Sequence, residues 1–247
     1  IPFPNHDATG VHVFREVADV NALIKYANQG KKGLVIGGGV LGLEAACALA
    51  SQGADMTVVH VDSYVLNRQL DLPAAQLLQA ELARRGVAVE VSAITDCIMV
   101  NDQHEVAGLS LKDGRILPAN FIVMAVGVMP NIALARDCGL EVNRGILVDN
   151  FMHTSCPHVY AVGECVELDG ELFGMVAPVN QQVDALVSVL KDTRLSGDSL
   201  GSKENWQPFR STPLSLKLKV SGISAFSAGQ VDFEEEEAAA IETITYQ

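Results

Sequence analysis

Residues 33–62 carry, in order, a short apolar run, a glycine-rich turn, a stretch of helix formers, a second apolar run and an acid. That order suits a site for the pyrophosphate of a dinucleotide, and hence redox chemistry. The turn is Gly37-Gly38-Gly39-Val40-Leu41-Gly42, a G-x-G-x-x-G spacing. Gly37 lets the chain turn sharply, Gly39 has no side chain to obstruct an approaching phosphate, and Gly42 lets the next helix pack closely on the strand. The unpaired amides that open the helix, on Val40 and Leu41 as well as Gly42, then face the anion together with the positive end of the helix dipole. Asp62 stands twenty residues beyond Gly42, a distance that suits an acid meeting the ribose hydroxyls of NAD. A ribose carrying a 2'-phosphate would need a cation close by, and the first basic residue after the second run is Arg68, so NADH is favoured over NADPH.

The elements that must position these groups are legible around them. Gly33-Leu34-Val35-Ile36 reads as a buried parallel strand, Leu43 to Ala50 as a helix, and Met56 to Val61 as a second strand. Glu44 falls at the start of that helix, where the dipole favours a carboxylate. A further helix spans about Asp71 to Arg85, with Pro73 in its first turn and Gly86 at its stop, and Val87 to Val91 is a third parallel strand. Ahead of the glycine turn lie an extended Val11 to Phe14 and a helical Val17 to Ala27. After it, Ile94 to Val100, Glu105 to Lys112 and Arg115 to Leu117 are short runs broken by Asn101-Asp102 and Asp113-Gly114, the pattern of an antiparallel meander. Phe121 to Val126 is apolar throughout, as a central strand would be, and ends at Gly127.

Composition narrows the class. The 247 residues can bury a real core, and 49% hydrophobic content in alternating strand-like and helix-like segments points to an α/β protein. No apolar stretch approaches a membrane span and the first residues are not a signal peptide, so the cytoplasm is the expected compartment. The net charge of −13 argues against nucleic acid and anionic membranes as partners. Four of those charges sit at Glu234 to Glu237, which read as a solvated run. Cys47, Cys97, Cys138, Cys156 and Cys165 form no C-x-x-C pair, so neither a disulfide framework nor a metal site is expected, and most should be small buried hydrophobes.

Several segments carry a resemblance. The meander followed by Ala125-Val126-Gly127-Val128-Met129-Pro130-Asn131 resembles the NAD domain of the pyridine nucleotide-disulfide reductase superfamily, and Thr154 to Glu164 resembles its second flavin fingerprint, a strand ending in Gly-Asp with Glu164 in place of Asp. Val58-Val59-His60, Asn67 to Asp71, Glu141 to Ile146, Tyr160 to Cys165, Val176-Ala177-Pro178 and Ser211 to Gly229 are similar to the nitrite reductase large-subunit family. The likeness runs from about Val11 to Tyr246.

The resemblance implies a Rossmann-like NAD-binding domain with a parallel sheet plus β-meander, and the second part of an FAD-binding domain of the two-dinucleotide-binding-domain flavoprotein type. The implied layout is a leader of the FAD domain at 1–30, an NAD(P)H-binding domain at 31–118, the C-terminal part of the FAD domain at 119–200, and the truncated start of a following domain at 201–247. It places Glu44 near the nicotinamide and flavin rings. It sets Gly163 and Glu164 against the ribityl and pyrophosphate part of FAD, and the helix opened by Pro178 toward the flavin. His60 stands where many relatives have Glu, and two placements stay open for it: a ribose contact, or an exposed strand tip.

By the same resemblance the cofactors are NAD(P)H and FAD, with an iron-sulfur cluster and siroheme outside these residues. The partners are C-terminal redox domains and a small subunit of the parent enzyme. Only one G-x-G-x-x-G occurs, and Ile241 to Tyr246 is strand-like with no closing element, so the chain reads as an internal piece, inactive alone. An NADH-dependent rubredoxin or ferredoxin reductase and a non-catalytic nucleotide-binding module are the alternatives.

Overall fold

A computed structural model describes residues 3–195, 205–211, 215–220 and 222–229. The first compact unit comprises Ile1–Gly127 with Pro213–Gln247, and the second Val128–Thr212. In the first, chain order runs β1 (Val11–Val13), α1 (Val17–Ala27), β2 (Lys32–Ile36), α2 (Val40–Ser51), β3 (Asp55–Val59), α3 (Leu72–Arg84), β4 (Val87–Glu90), β5 (Thr95–Val100), β6 (Val106–Leu111), β7 (Ile116–Pro118) and β8 (Phe121–Met124). Strands β1-β8-β2-β3-β4 form one sheet, all pairs parallel, and β5-β6-β7 form an antiparallel meander.

The residues explain the layout. Buried on both faces, β2 and β8 are apolar without alternation, as strands at the middle of a parallel sheet must be. Phe121 is fully buried against β2, and a Cβ on Gly33 would lie 2.2 Å from its ring, so only glycine fits opposite it. Asp71 caps α3 by accepting the Ala74 N–H at 3.0 Å, Pro73 occupies its first turn, and Gly86 leaves it at φ +80°. The core below the sheet gathers Leu43, Ala46, Met56, Val58, Leu78, Leu82 and Phe121.

The second unit holds α4 (Ala133–Asp137), β9 (Ile146–Leu147), β10 (Val166–Leu168), β11 (Glu171–Leu172) and α5 (Val176–Leu195), with β10 central, parallel to β9 and antiparallel to β11. Its core is Met152, Val166, Leu168, Phe173, Ala185 and Phe209. Trp206 is buried against Phe151 and His153, a packing role as its type suggests. The antiparallel hairpin β12 (Ser215–Val220) and β13 (Ile223–Ala228) belongs to the first unit, where Ile223 and Ala225 pack on the core.

The first unit keeps β1, β8 and β2 together, since β1 and β8 hydrogen-bond to each other and β8 to β2 inside one sheet. Two expectations are corrected here. Of the five cysteines only Cys47 is buried. Cys97 and Cys165 are half-buried, and Cys138 and Cys156 are exposed, since they lie at the end of α4 and in a loop rather than on core faces. The strand expected before Gly163 is reduced to a single bridge from Tyr160 to His153, that being the one backbone ladder it finds among the described residues. Glu234 to Glu237 and Ile241 to Tyr246 lie outside the described residues. No helix among the described residues is long and apolar enough to cross a membrane.

Candidate functional site

The glycine turn joins β2 to α2, and its glycines divide by what surrounds them. Gly37 has φ +118°, its N–H donates to the Val59 carbonyl at 2.9 Å, and a Cβ on it would meet the Ala125 carbonyl oxygen at 2.2 Å. A Cβ on Gly42 would lie 2.0 Å from the Gly37 carbonyl oxygen, so α2 rests directly on the turn. Gly39 differs. It is the N-cap of α2 at φ −80° and ψ 179°, and a Cβ there would find no atom within 4 Å. The open space lies where the helix begins, beside the amides of Val40, Leu41 and Gly42, which precede the first intrahelical bond. No acidic residue occupies the first turn to oppose an anion. Unpaired donors around an unfilled cradle fit a dinucleotide pyrophosphate.

Gly38, expected among the cofactor-binding residues of the turn, stands at a position where the motif permits any residue. Its N–H donates to His60 Nδ1 at 3.1 Å and its carbonyl accepts the Leu66 N–H at 3.0 Å. A Cβ on it would lie 2.8 Å from His60 Cγ and 2.9 Å from Val65 Cγ1. A glycine at a freely variable motif position was the available signal. His60 itself lies just past the end of β3 and is only 8% exposed, which removes the exposed-tip placement. Its Nε2 is 3.5 Å from Asp62 Oδ2, and Asp62, with 49% of its side chain exposed, can present a carboxylate to a bound hydroxyl.

Glu44 is half-buried in the second turn of α2, one turn further from the dipole's end than its expected placement, where the dipole's effect on a carboxylate has faded.

In the second unit, Gly163 has φ +103°, with open space where a Cβ would stand, and its N–H donates to Gln182 Oε1 at 2.8 Å. Glu164 is exposed beside it. Gln182 is fully buried on the stripe that Pro178, Ala185 and Val189 form along α5, and its Nε2 has no hydrogen-bond partner among the described residues. An amide on an otherwise apolar helical stripe was the signal that sequence reading missed. Pro178 is the third residue of α5, whose first turn has no acid. A left-handed glycine, an exposed carboxylate and a buried unpaired donor fit a polyhydroxyl chain. Gly127 has φ +97° and ends the segment after β8 in the first unit, with no neighbour to a Cβ.

A different carboxylate is purely structural. Glu167 on β10 is 3% exposed and accepts the Gly145 N–H at 2.8 Å and the Asn143 amide at 2.9 Å. The Gly145 amide, joined by the Asn143 amide and Arg144, holds its carboxyl below the usual glutamate range against the opposing effect of desolvation.

The sequence profile of the pyridine nucleotide-disulphide oxidoreductases matches residues 1–185. The NAD(P)H nitrite reductase of Bacillus subtilis (strain 168) is 40% identical over 239 residues, which are 97% of this chain and 28% of that protein. The assimilatory nitrate reductase electron transfer subunit of the same organism is 39% identical over 235 residues, 95% of this chain and 29% of that one. A FAD-dependent pyridine nucleotide-disulphide oxidoreductase from Desulfovibrio vulgaris matches with a TM-score of 0.72 at 28% identity, over 93% of this chain and 57% of its own. The chain spans less than a third of the length of those two Bacillus relatives.

Proposed function

The chain belongs to the pyridine nucleotide-disulphide oxidoreductase family, and from that premise we propose that it is the NAD(P)H-binding and flavin-reducing portion of a nitrite reductase. In this reading it feeds electrons toward an iron-sulfur and siroheme centre carried by other residues, where nitrite becomes ammonia. The observation that carries the nucleotide part is the cradle over Gly39, open to 4 Å and flanked by amides that no carbonyl takes. The nitrite part rests on the two Bacillus relatives, whose names speak of nitrite and nitrate reduction.

The residues divide the work between binding and orientation. Amides from Gly39 to Gly42 hold the pyrophosphate in place of water, and Asp62 accepts ribose hydroxyls. Glu44, half-buried in the second turn of α2 on the side shared with the exposed Leu41 and Ala48, orients the nicotinamide by accepting from its carboxamide. Gly163 and Glu164 hold the ribityl chain of FAD, and the amino end of α5 faces the flavin, where negative charge gathers on reduction. Flavin, when bound, supplies acceptance of hydride from the nicotinamide.

The test is twofold. The 247-residue chain should bind NADH in calorimetry, and the full-length protein should consume NADH faster with nitrite than with rubredoxin or ferredoxin as acceptor. Turnover with a carrier protein and none with nitrite would replace the nitrite reading while leaving the nucleotide site standing.

A further inference from the structure

The segment that follows β3 grips the middle of the glycine turn. Gly38 is bound at its N–H by the His60 ring and at its carbonyl by the Leu66 amide, and the ring lies flush on its Cα side, where a Cβ would meet Cγ at 2.8 Å. Leu66 is buried and sits at φ +53°, a left-handed conformation that is unfavourable for a branched apolar residue. The carbonyl contact is thus made by a backbone held away from its preferred region. An N–H can be accepted only by an unprotonated ring nitrogen, so this geometry requires the neutral imidazole with its proton on Nε2. That Nε2 is buried, has no hydrogen-bonded protein acceptor among the described residues, and lies 3.5 Å from the Asp62 carboxylate.

We propose that His60 is the positioning residue of the nucleotide site: its Nδ1 locks the Gly38 amide so that the amides from Gly39 onward face the phosphates. This rests on the nucleotide reading of the glycine turn and adds a proton dependence to it. A proton on Nδ1 turns the ring into a donor at both nitrogens, sets N–H against N–H at Gly38, and ends the lock. The surrounding charges do not stand in for it. Glu90 at the end of β4 takes the His60 backbone N–H at 2.8 Å through its carbonyl, and its carboxylate is held by Arg115 at 2.7 Å. The glycine turn and the start of α2 bring no ionisable side chain before Glu44, and the segment from Asp62 to Leu70 brings Tyr64 and Arg68 besides Asp62 itself. Asp62 is the one carboxylate at the ring edge. Nucleotide affinity therefore belongs to the neutral ring and is lost on acidification.

The experiment exploits the shapes of two amides. Asn places Oδ1 where Nδ1 stands, and Gln places its amide where Nε2 stands. NADH binding to the 247-residue chain is titrated by calorimetry from about pH 5 to 8, the range in which imidazoles change charge, for wild type, His60→Asn, His60→Gln and His60→Leu, each checked for an intact melt. The Gly38 amide resonance is followed over the same range without nucleotide.

Wild type should weaken on acidification by up to about tenfold per pH unit. H60N should bind within about threefold of wild type and show no such pH dependence, while H60Q and H60L, which leave a buried amide unpaired, should bind about tenfold more weakly. The Gly38 amide should move with pH in wild type and stay fixed in H60N. H60N as weak as a folded H60L, or a pH-independent wild type, would overturn the positioning role. Absence of NADH binding by the wild type would instead overturn the site, and the role with it.

Discussion

Replacing Gly39 by valine separates binding from folding, because the three motif glycines do different work. At φ −80° and ψ 179° Gly39 adopts a backbone open to any residue, and nothing lies within 4 Å of its Cβ direction. Giving up glycine at an N-cap costs about 0.5–1 kcal/mol, and stiffening the unfolded chain returns about 0.4–1 kcal/mol. The melting temperature should stay within about three degrees of wild type. The branched side chain, however, stands in the space through which a phosphate reaches the Val40 and Leu41 amides. Losing two charge-assisted hydrogen bonds at about 1.5 kcal/mol each removes about 3 kcal/mol, more than a hundredfold in Kd.

Gly42→Ala should show the opposite signature. Its Cβ would sit 2.0 Å from the Gly37 carbonyl oxygen, so α2 must lift from the turn, at a cost of about 1–3 kcal/mol in stability. Calorimetry with NADH and thermal melts by circular dichroism on both variants are the assay. An Gly39→Val protein that melts like wild type and binds NADH with equal affinity would refute the placement of the pyrophosphate.

Three further outcomes follow from named groups. Wild type should bind NADH more tightly than NADPH, and Asp62→Arg should narrow or reverse that ratio, since the carboxylate repels a 2'-phosphate that a guanidinium would hold; tighter NADPH binding by wild type would sink the assignment of Asp62. Glu167 has a folded-state pKa below its unfolded value, so its stabilisation is complete above the unfolded value and is lost as pH falls through the folded one. Glu167→Gln should lower the melting temperature at neutral pH, with the gap to wild type closing in acid, and a gap that persists at low pH would show the carboxylate charge to be irrelevant. The 247-residue chain holds a single G-x-G-x-x-G, so a purified sample should be colourless and fail to pass electrons from NADH to ferricyanide; a stoichiometric flavin spectrum would show that FAD is held without a second glycine turn.

Local chemistry made the nucleotide unit legible residue by residue. The order of strand, glycine turn and helix, the Asp71 cap, the stop at Gly86 and the turn residues of the meander each act within a few positions, so the sequence itself determined the α/β class, the elements and the open glycine at Gly39. Contacts between residues far apart decided the remainder. The apolar run of β8 marks it as a central strand, but its pairing with β1 joins residues more than a hundred positions apart, Val11 to Ile122, and no local pattern names that partner. Gly38 reads as a spare glycine until His60, twenty-two residues on, is seen against it. Gln182 reads as an ordinary helix polar residue until its amide is found buried at Gly163. His60 could be a ligand or a surface residue from its type alone. Only burial beside a backbone N–H fixes which ring nitrogen accepts, and hence what a proton there would do.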